Sequence, residues 1–380
     1  MKKKILVILL SLVLSSSLFA QNIRFIPSFL FDSGYSYTSF NKDIEVYKQL
    51  GTNISSHNFY TKLDGTFQMV VPKTFINLDY TIQWNFNDKI NFDINKLWAK
   101  FILGDWASLQ IGRYFMNWSE GLVWNVSDFI NNQPKWNSSN VKGKDGLDIN
   151  INLPFNSIPM NLNIATLYFK DIKDLSVYFL VGAMLYPVDM KLKCAVYYDK
   201  VPSVGLSLKT SLGNLDISLD SALLFSGSIK EKYGYKDNNY KIRVTPELKY
   251  YIPIGQNHEI DILASYLFQS DGLTKNEGTA YLKNLDLDKI RLISQNYFKS
   301  YRQYLNTNIS YSYKNVFNAN LGLKINLEDF SGAIISGCSY MLLHNIKLSP
   351  MVIILFRNDN SESSTIPYNY TFSFSISKKI

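Results

Sequence analysis

Thr74-Phe75-Ile76-Asn77-Leu78-Asp79-Tyr80-Thr81-Ile82-Gln83-Trp84-Asn85-Phe86 is the stretch whose reading decides the fold. From Ile76 onward, the side chains Ile76, Leu78, Tyr80, Ile82, Trp84 and Phe86 point one way. Asn77, Asp79, Thr81, Gln83 and Asn85 point the other, which is the two-residue period of a β-strand. The split returns in Phe317 to Leu327, where Ala319, Leu321, Leu323 and Ile325 oppose Asn318, Asn320, Gly322, Lys324 and Asn326. Neither face suits the edge of a soluble sandwich, whereas lipid on one side and water on the other account for both. A strand in lipid must also give each backbone N–H and C=O a neighbouring strand, so the sheet has to close. The pattern therefore predicts an all-β chain folded as a transmembrane antiparallel β-barrel.

Alternation along the remaining sequence predicts about 18 strands, with about 16 as the smaller alternative. Long connections fall at odd-numbered positions, over 32–56, 115–145, 227–239, 270–301 and 357–366. Even-numbered connections are tight turns such as Val71-Pro72-Lys73, Gly104-Asp105, Leu212-Gly213-Asn214 and Lys314-Asn315. Short turns on one side and long loops on the other is how outer-membrane barrels are built, with both chain ends on the short-turn side. The weakest strands are Ile23 to Phe31 and Asp174 to Tyr186. Between Ile90 and Leu103 the outward set changes phase, from Ile90, Phe92 and Ile94 to Leu97, Ala99, Phe101 and Leu103. One extra residue near Asn95 or Lys96, a β-bulge, restores the beat and turns Lys96, Trp98 and Lys100 toward the lumen.

Residues 1–20 read as a secretory signal peptide: Lys2, Lys3 and Lys4, the apolar run Ile5 to Leu14, then Ser15-Ser16-Ser17-Leu18-Phe19-Ala20 before Gln21. That apolar run is too short to span a bilayer as a helix, for which about twenty residues are needed. The barrel is expected over 21–380 as one domain, since no linker or heptad run interrupts it. The expected address is the outer membrane, with its lipid as one partner. Without the leader the formal charge falls from +8 to +5, and the remaining bases are scattered singly, so nucleic acid is not an expected partner. Aromatic residues make up 15% of the chain, in keeping with girdles at the two lipid–water boundaries. Cys194 and Cys338 fall in separate strands and suggest no disulfide framework.

Catalytic chemistry is absent from the pattern. His57, His258 and His344 each stand alone at a strand end or turn, without a nucleophile and an orienting acid, and no zincin, nucleophile-elbow or phosphate-loop motif occurs. Asp216 and Asp220 alternate on an inward face as a wetted wall would, and no calcium-loop spacing is present, so neither metal nor cofactor is expected. The chain reads as a non-enzyme. Inward acids and bases nearly balance, which leaves the ion preference open.

One segment breaks the alternation. Gly112-Arg113-Tyr114-Phe115-Met116-Asn117-Trp118-Ser119-Glu120-Gly121-Leu122-Val123-Trp124-Asn125-Val126-Ser127-Asp128 opens a long connection that holds or adjoins three of the six tryptophans, Trp118, Trp124 and Trp136. Loops this long and this aromatic are usually packed and functional. The segment resembles a pattern of outer-membrane porin-like families, a Gly-Arg closing one strand, then Trp-Gly-x-Gly, then Asn-Pro-x-Asp. Gly112, Arg113, Trp118, Gly121, Asn125 and Asp128 match it in order and spacing, while Ser119 and Val126 depart from it. General porins place their third external loop inside the barrel, so the resemblance implies a constriction here. The C-terminal Tyr368 to Ile380 also resembles the last-strand signal read by the barrel assembly machinery, although Lys378-Lys379-Ile380 replace the usual final aromatic.

The expected function is a porin-like channel for passive diffusion of small hydrophilic solutes, narrowed by the 115–145 loop. Trp118 and Trp124 would anchor the loop, with Arg113, Glu120 and Asp128 facing one another or the solute and Lys96, Trp98 and Lys100 lining the wall. A plainer alternative has Arg113 and Asp128 paired simply to close the loop against the wall. A second function class is a surface adhesin or antigen whose loops bind a host or matrix partner. The sequence carries no signature of the solute or of the oligomeric state.

Overall fold

The computed structural model describes residues 23–40, 57–85, 90–115, 118, 121–129, 143–154, 158–167, 176–197, 200–225, 229–235, 240–283, 300–314, 316–342, 345–357, 361–362 and 368–379. The expected leader (1–20), Glu120, Trp136 and His344 lie outside the described residues.

The strands are β1 (Arg24–Phe40), β2 (His57–Val71), β3 (Thr74–Asn85), β4 (Asn91–Ile102), β5 (Ala107–Tyr114) and β6 (Lys144–Pro154). They continue as β7 (Pro159–Leu167), β8 (Ser176–Leu185), β9 (Val188–Tyr197), β10 (Lys200–Leu212), β11 (Leu215–Leu224) and β12 (Lys241–Ile254). The circuit ends with β13 (His258–Gln269), β14 (Gln303–Tyr313), β15 (Phe317–Asn326), β16 (Gly332–Met341), β17 (Ile346–Phe356) and β18 (Tyr368–Lys379). Among the described residues, two short helices, α1 (Ile229–Lys232) and α2 (Lys275–Lys283), lie in the connections after β11 and β13. All strands form one 18-stranded sheet, and β1 pairs antiparallel with both β2 and β18. Closure leaves no open edge to template pairing with another chain. The expected count and fold class are those observed.

The outer face keeps its large aliphatics uncovered, with Leu321 at 53% and Ile309 at 50% exposure, a pattern stable only against lipid. Inward positions carry the charge, and the charges pair along the wall. Lys62–Asp64 (2.7 Å), Lys96–Asp79 (2.8 Å) and Lys249–Asp261 (3.1 Å) are three such bridges. Tight hairpins fall at even-numbered connections, where Lys73 (φ 62°), Lys314 (φ 47°) and Asn345 (φ 61°) take the left-handed conformation that such turns demand.

Two expectations need revision. β1 does not stop at Phe31 before a loop over 32–56; it runs to Phe40, paired with β18 throughout its second half. Aliphatic alternation ends there because Tyr35 and Tyr37 take over the outward positions, packing at a tilt against Phe59 (4.7 Å) and Tyr370 (6.1 Å), so a criterion based on aliphatics cuts the strand short. The eighth strand, expected over Asp174 to Tyr186, ends at Leu185, and its described part begins at Ser176. The bulge in β4 is where the phase change put it. Asp79 faces Lys96 and Tyr80 faces Ile94, leaving Asn95 as the extra residue.

Gly112 tests the β4–β5 register. Its φ is +120°, and a Cβ there would sit 2.3 Å from the Leu97 carbonyl oxygen and 2.9 Å from the Trp98 Cα. Gly112→Ala is expected to cost about 3 kcal/mol or to abolish folding, whereas Gly213→Ala, at a turn with nothing within 4 Å, should cost about 1 kcal/mol. Urea unfolding followed by the shift between boiled and unboiled bands on a denaturing gel measures both. Equal sensitivity of the two variants would mean that β4 and β5 are not in this register.

Candidate functional site

Between β5 and β6 the chain leaves the wall and crosses the lumen. Tyr114 and Trp118 go first, 3% and 5% exposed, into a pocket of the inward wall formed by Ala165, Leu167, Tyr178, Leu180 and Ala195 of β7, β8 and β9. The small residues Ala165 and Ala195 leave the depth that the aromatic rings occupy, and Trp118 meets Tyr178 edge to face at 6.0 Å. Val123 and Trp124 then pack into a second cluster with Leu267, Tyr304, Ala333 and Leu355 of β13, β14, β16 and β17. Six residues of chain thus join two different arcs of the barrel.

Among the described residues this strap has no sheet partner across the lumen, so their backbone N–H groups need other acceptors. Carboxylates from the far wall supply them. Glu247 of β12, 2% exposed, accepts from the Leu122 N–H and from the Val123 N–H (2.9 Å), and its Oε1 also takes the Ser265 hydroxyl (2.7 Å). Asp220 of β11, fully buried, accepts from the Ser127 N–H (3.0 Å) and the Ser127 hydroxyl. The Lys193 ammonium of β9 lies 3.4 Å from Asp220 and donates to Ser207 Oγ (2.5 Å) and to Ser127 Oγ. A lysine with no solvent contact is tolerable because that carboxylate and those hydroxyls surround it. Over Trp124, the Lys324 ammonium of β15 sits 5.0 Å from the indole centroid.

The described parts of the connections after β11 and β13 fold inward onto the same strap. Ile229 and Tyr233 around α1, Leu273, Leu282 of α2 and Tyr301 join the Trp124 cluster. Arg243 of β12 holds Asp271 bidentately (3.1 and 2.7 Å), and Asp271 caps the Ile229 N–H at 3.0 Å. Burial alone would raise the Asp271 carboxyl, but the guanidinium and the N–H override it and hold the group below its ordinary value of 3.8. This cap is therefore fully charged above that pH and weakens only as acid carries the carboxyl through its lowered value. Tyr304 donates to Glu362, which also accepts from Asn326 Nδ2 (3.1 Å), so a residue of the last external connection is drawn in as well.

The residues singled out from the sequence are distributed as follows. Trp118, Trp124 and Asp128 all lie in the strap, and Asp128 is 2% exposed with the Lys144, Lys193 and Tyr178 side chains in its field. Lys96, Trp98 and Lys100 share the inward face, in register with Asp79, Asn77 and Gln110, and Trp98 packs against the Trp118 cluster. Arg113 corrects the expectation. It does not pair with Asp128 or meet the strap; it forms a bidentate bridge (2.9 and 2.8 Å) with Asp145, directly opposite it on β6. In the β5–β6 ladder Arg113 alternates with Gly112, in phase with Leu109 and Ile111, so its side chain belongs to the outward set. A cross-strand neighbour is reached without crossing the lumen, which is why it wins. The anchoring role of Glu247, Asp220 and Lys193 was not legible: the inward phase marks them as wall residues, but Glu247 and Val123 are 124 positions apart.

Glu247→Ala should leave the barrel folded and free two strap N–H groups from a buried acceptor, at a local cost of about 2–4 kcal/mol. With Cys194 and Cys338 replaced by Ser, a cysteine at Val123 should react with a membrane-impermeant maleimide at least tenfold faster in the Glu247→Ala background. An unchanged rate would show that Glu247 does not hold the strap.

No family model matches the chain, and no curated protein sequence does. Solved structures do match over nearly the whole length. Acinetobacter baumannii OccAB1 aligns at a TM-score of 0.57 and 8% identity, covering 95% of this chain and 97% of the other. A BenF-like porin from Pseudomonas fluorescens aligns at 0.54 and 10% identity, covering 95% and 99%. Pseudomonas aeruginosa OccK2 (OpdF), solved in complex with glucuronate, aligns at 0.55 and 8% identity, again covering 95% and 99%. At these identities the likeness is one of fold: the chain has the architecture of outer-membrane porin barrels.

Proposed function

We propose that this chain is an outer-membrane porin, a passive channel for small hydrophilic solutes whose narrowest section is the β5–β6 strap. The observation that carries the reading is the strap itself, tied by Glu247 and Asp220 to strands far from its own inside a closed barrel. Barrels of this strand number enclose an aqueous lumen, and a strap bonded across it narrows the passage without sealing it. Residues 1–20 serve as the export leader, the barrel assembly machinery inserts the product, and the tight turns and both chain ends face the periplasm. The fold shared with a BenF-like porin and with OccK2, which was solved with glucuronate, supports the same class of solute, small and polar. No energy source enters the mechanism. Diffusion through a wetted lumen suffices, and the strap sets the size limit.

The adhesin reading draws no support from the external connections. Of their described apolar residues, Ile229, Leu273, Leu282 and Tyr301 are spent on packing with the Trp124 cluster, while the exposed Phe330 (64%) and Tyr240 (56%) stand on two separate connections and form no patch with these four.

The lateral pairing of wall charges leaves a weak net field along the pore, so ion selectivity should be low, with a cation-to-anion permeability ratio within about threefold of unity. Deleting residues 119–142 should raise single-channel conductance in planar bilayers by roughly twofold or more while the strand signature in circular dichroism is kept. A folded deletion variant that conducts like the parent would place the constriction elsewhere, and a folded parent that conducts nothing would end the porin reading.

A further inference from the structure

On the tight-turn side of the strap, the inward wall of β5 to β9 lines an open cavity of about 260 Å³. Its polar lining is Gln110, Asp148, Asn150, Asn161, Asn163 and Lys191, and the rings of Tyr114 and Trp118 close it toward the strap. These polar side chains alternate with outward aliphatics along β6 and β7, so the strand period itself gathers them into one patch.

Three of the lining atoms are left over. Asn163 hydrogen-bonds Asp148, yet the Asn163 Oδ1, the Asp148 Oδ1 and the Tyr114 hydroxyl have no hydrogen-bond partner among the described residues. Tyr114 is 3% exposed and Asn163 9%, so bulk water does not satisfy them freely. A buried polar atom without a partner costs about 1–3 kcal/mol, which a visiting ligand can recover. The chemistry of that ligand follows from the atoms. Two acceptors and one hydroxyl beside an aromatic wall suit a ring that carries hydroxyl groups on its rim and C–H groups on its face. A carboxylate would find donors in Lys191 and the lining amides but would lie against the Asp148 carboxylate, which repels it. The Lys100 side chain acts on the Asp148 carboxylate and the Lys191 ammonium stands in the same lining, so a cationic solute gains little. The volume is below that of drug-sized pockets, which limits the occupant to a single ring.

The geometry points to a subsite for a neutral polyhydroxylated ring, of the monosaccharide class, immediately beyond the constriction. This rests on the porin reading, because a solute must pass the strap to reach it. A transit site has to release what it binds, so affinity should be weak, with a half-saturating concentration of roughly 1 mM or above.

D-Glucose is the probe, added on the tight-turn side of single channels in planar bilayers. It should reduce the ion current in a saturable manner. In Asn163→Leu and, separately, in Asp148→Asn, the half-blocking concentration should rise tenfold or more while the sugar-free conductance stays within about a fifth of the parent's. D-Glucuronate and D-glucosamine, the anionic and cationic versions of the same ring, should block less well than glucose. The subsite is overturned if a conducting parent is indifferent to glucose, if either charged ring blocks better, or if both variants block like the parent. Absence of any current from folded protein would instead overturn the channel itself, and the subsite with it.

Discussion

The structure depends on one constraint: a segment of backbone taken out of the sheet and buried inside a barrel must have its N–H groups accepted by something. Here the acceptors are ionised side chains of the opposite wall, Glu247 for Leu122 and Val123 and Asp220 for Ser127. Carboxylates suit the task because each oxygen accepts more than one bond, and a charge-assisted bond is about twice as strong as a neutral one. Placing such acids on the inward face also creates a need for compensation. Lys193 meets it at Asp220, and the Ser265 and Ser218 hydroxyls help at Glu247. The strap and the wall that holds it are therefore one polar unit, and neither is satisfied without the other.

Closure of the sheet makes that unit possible. Strands separated by more than a hundred residues become facing walls, and small inward residues such as Ala165 and Ala195 decide where aromatic rings can enter. The bulge in β4 has a part in this. Asn95, the extra residue, turns its carbonyl oxygen to the Gly143 N–H (2.9 Å) where the long connection rejoins the wall, and its amide donates to Thr81 Oγ1 (2.7 Å). The irregularity that interrupts the outward alternation thus catches the returning chain.

How much of this can be read from residues alone follows from the range of the interactions. The barrel, its strand count and the β4 bulge rest on a period of two and on turn chemistry, both local, so Thr74 to Phe86 and the turn around Lys73 suffice to see them. The end of β1 escapes because Tyr35 and Tyr37 replace aliphatics at the lipid boundary. In the β5–β6 connection, the tryptophans announce that the chain packs, and Trp118 and Trp124 are indeed buried. Their partners are not announced. Arg113 is a case of a local partner, Asp145, displacing the more distant Asp128, since the ladder sets Arg113 and Asp145 opposite each other before the loop has any fixed path. The anchoring acids look like every other inward acid in sequence, and only closure reveals which of them face the strap.

The path of the strap across the lumen is open to a single covalent test. Ser127 Oγ lies 3.3 Å from Ser207 Oγ on β10, a strand that the β5–β6 connection meets only by crossing the barrel. With Cys194 and Cys338 replaced by Ser, the pair Ser127→Cys and Ser207→Cys should crosslink in the folded, membrane-inserted protein under mild oxidation. The product should run as an internally bridged species on a non-reducing gel. If both thiols stay reduced in folded protein and both react readily with an impermeant maleimide added from outside, the connection lies over the mouth of the barrel and not within it.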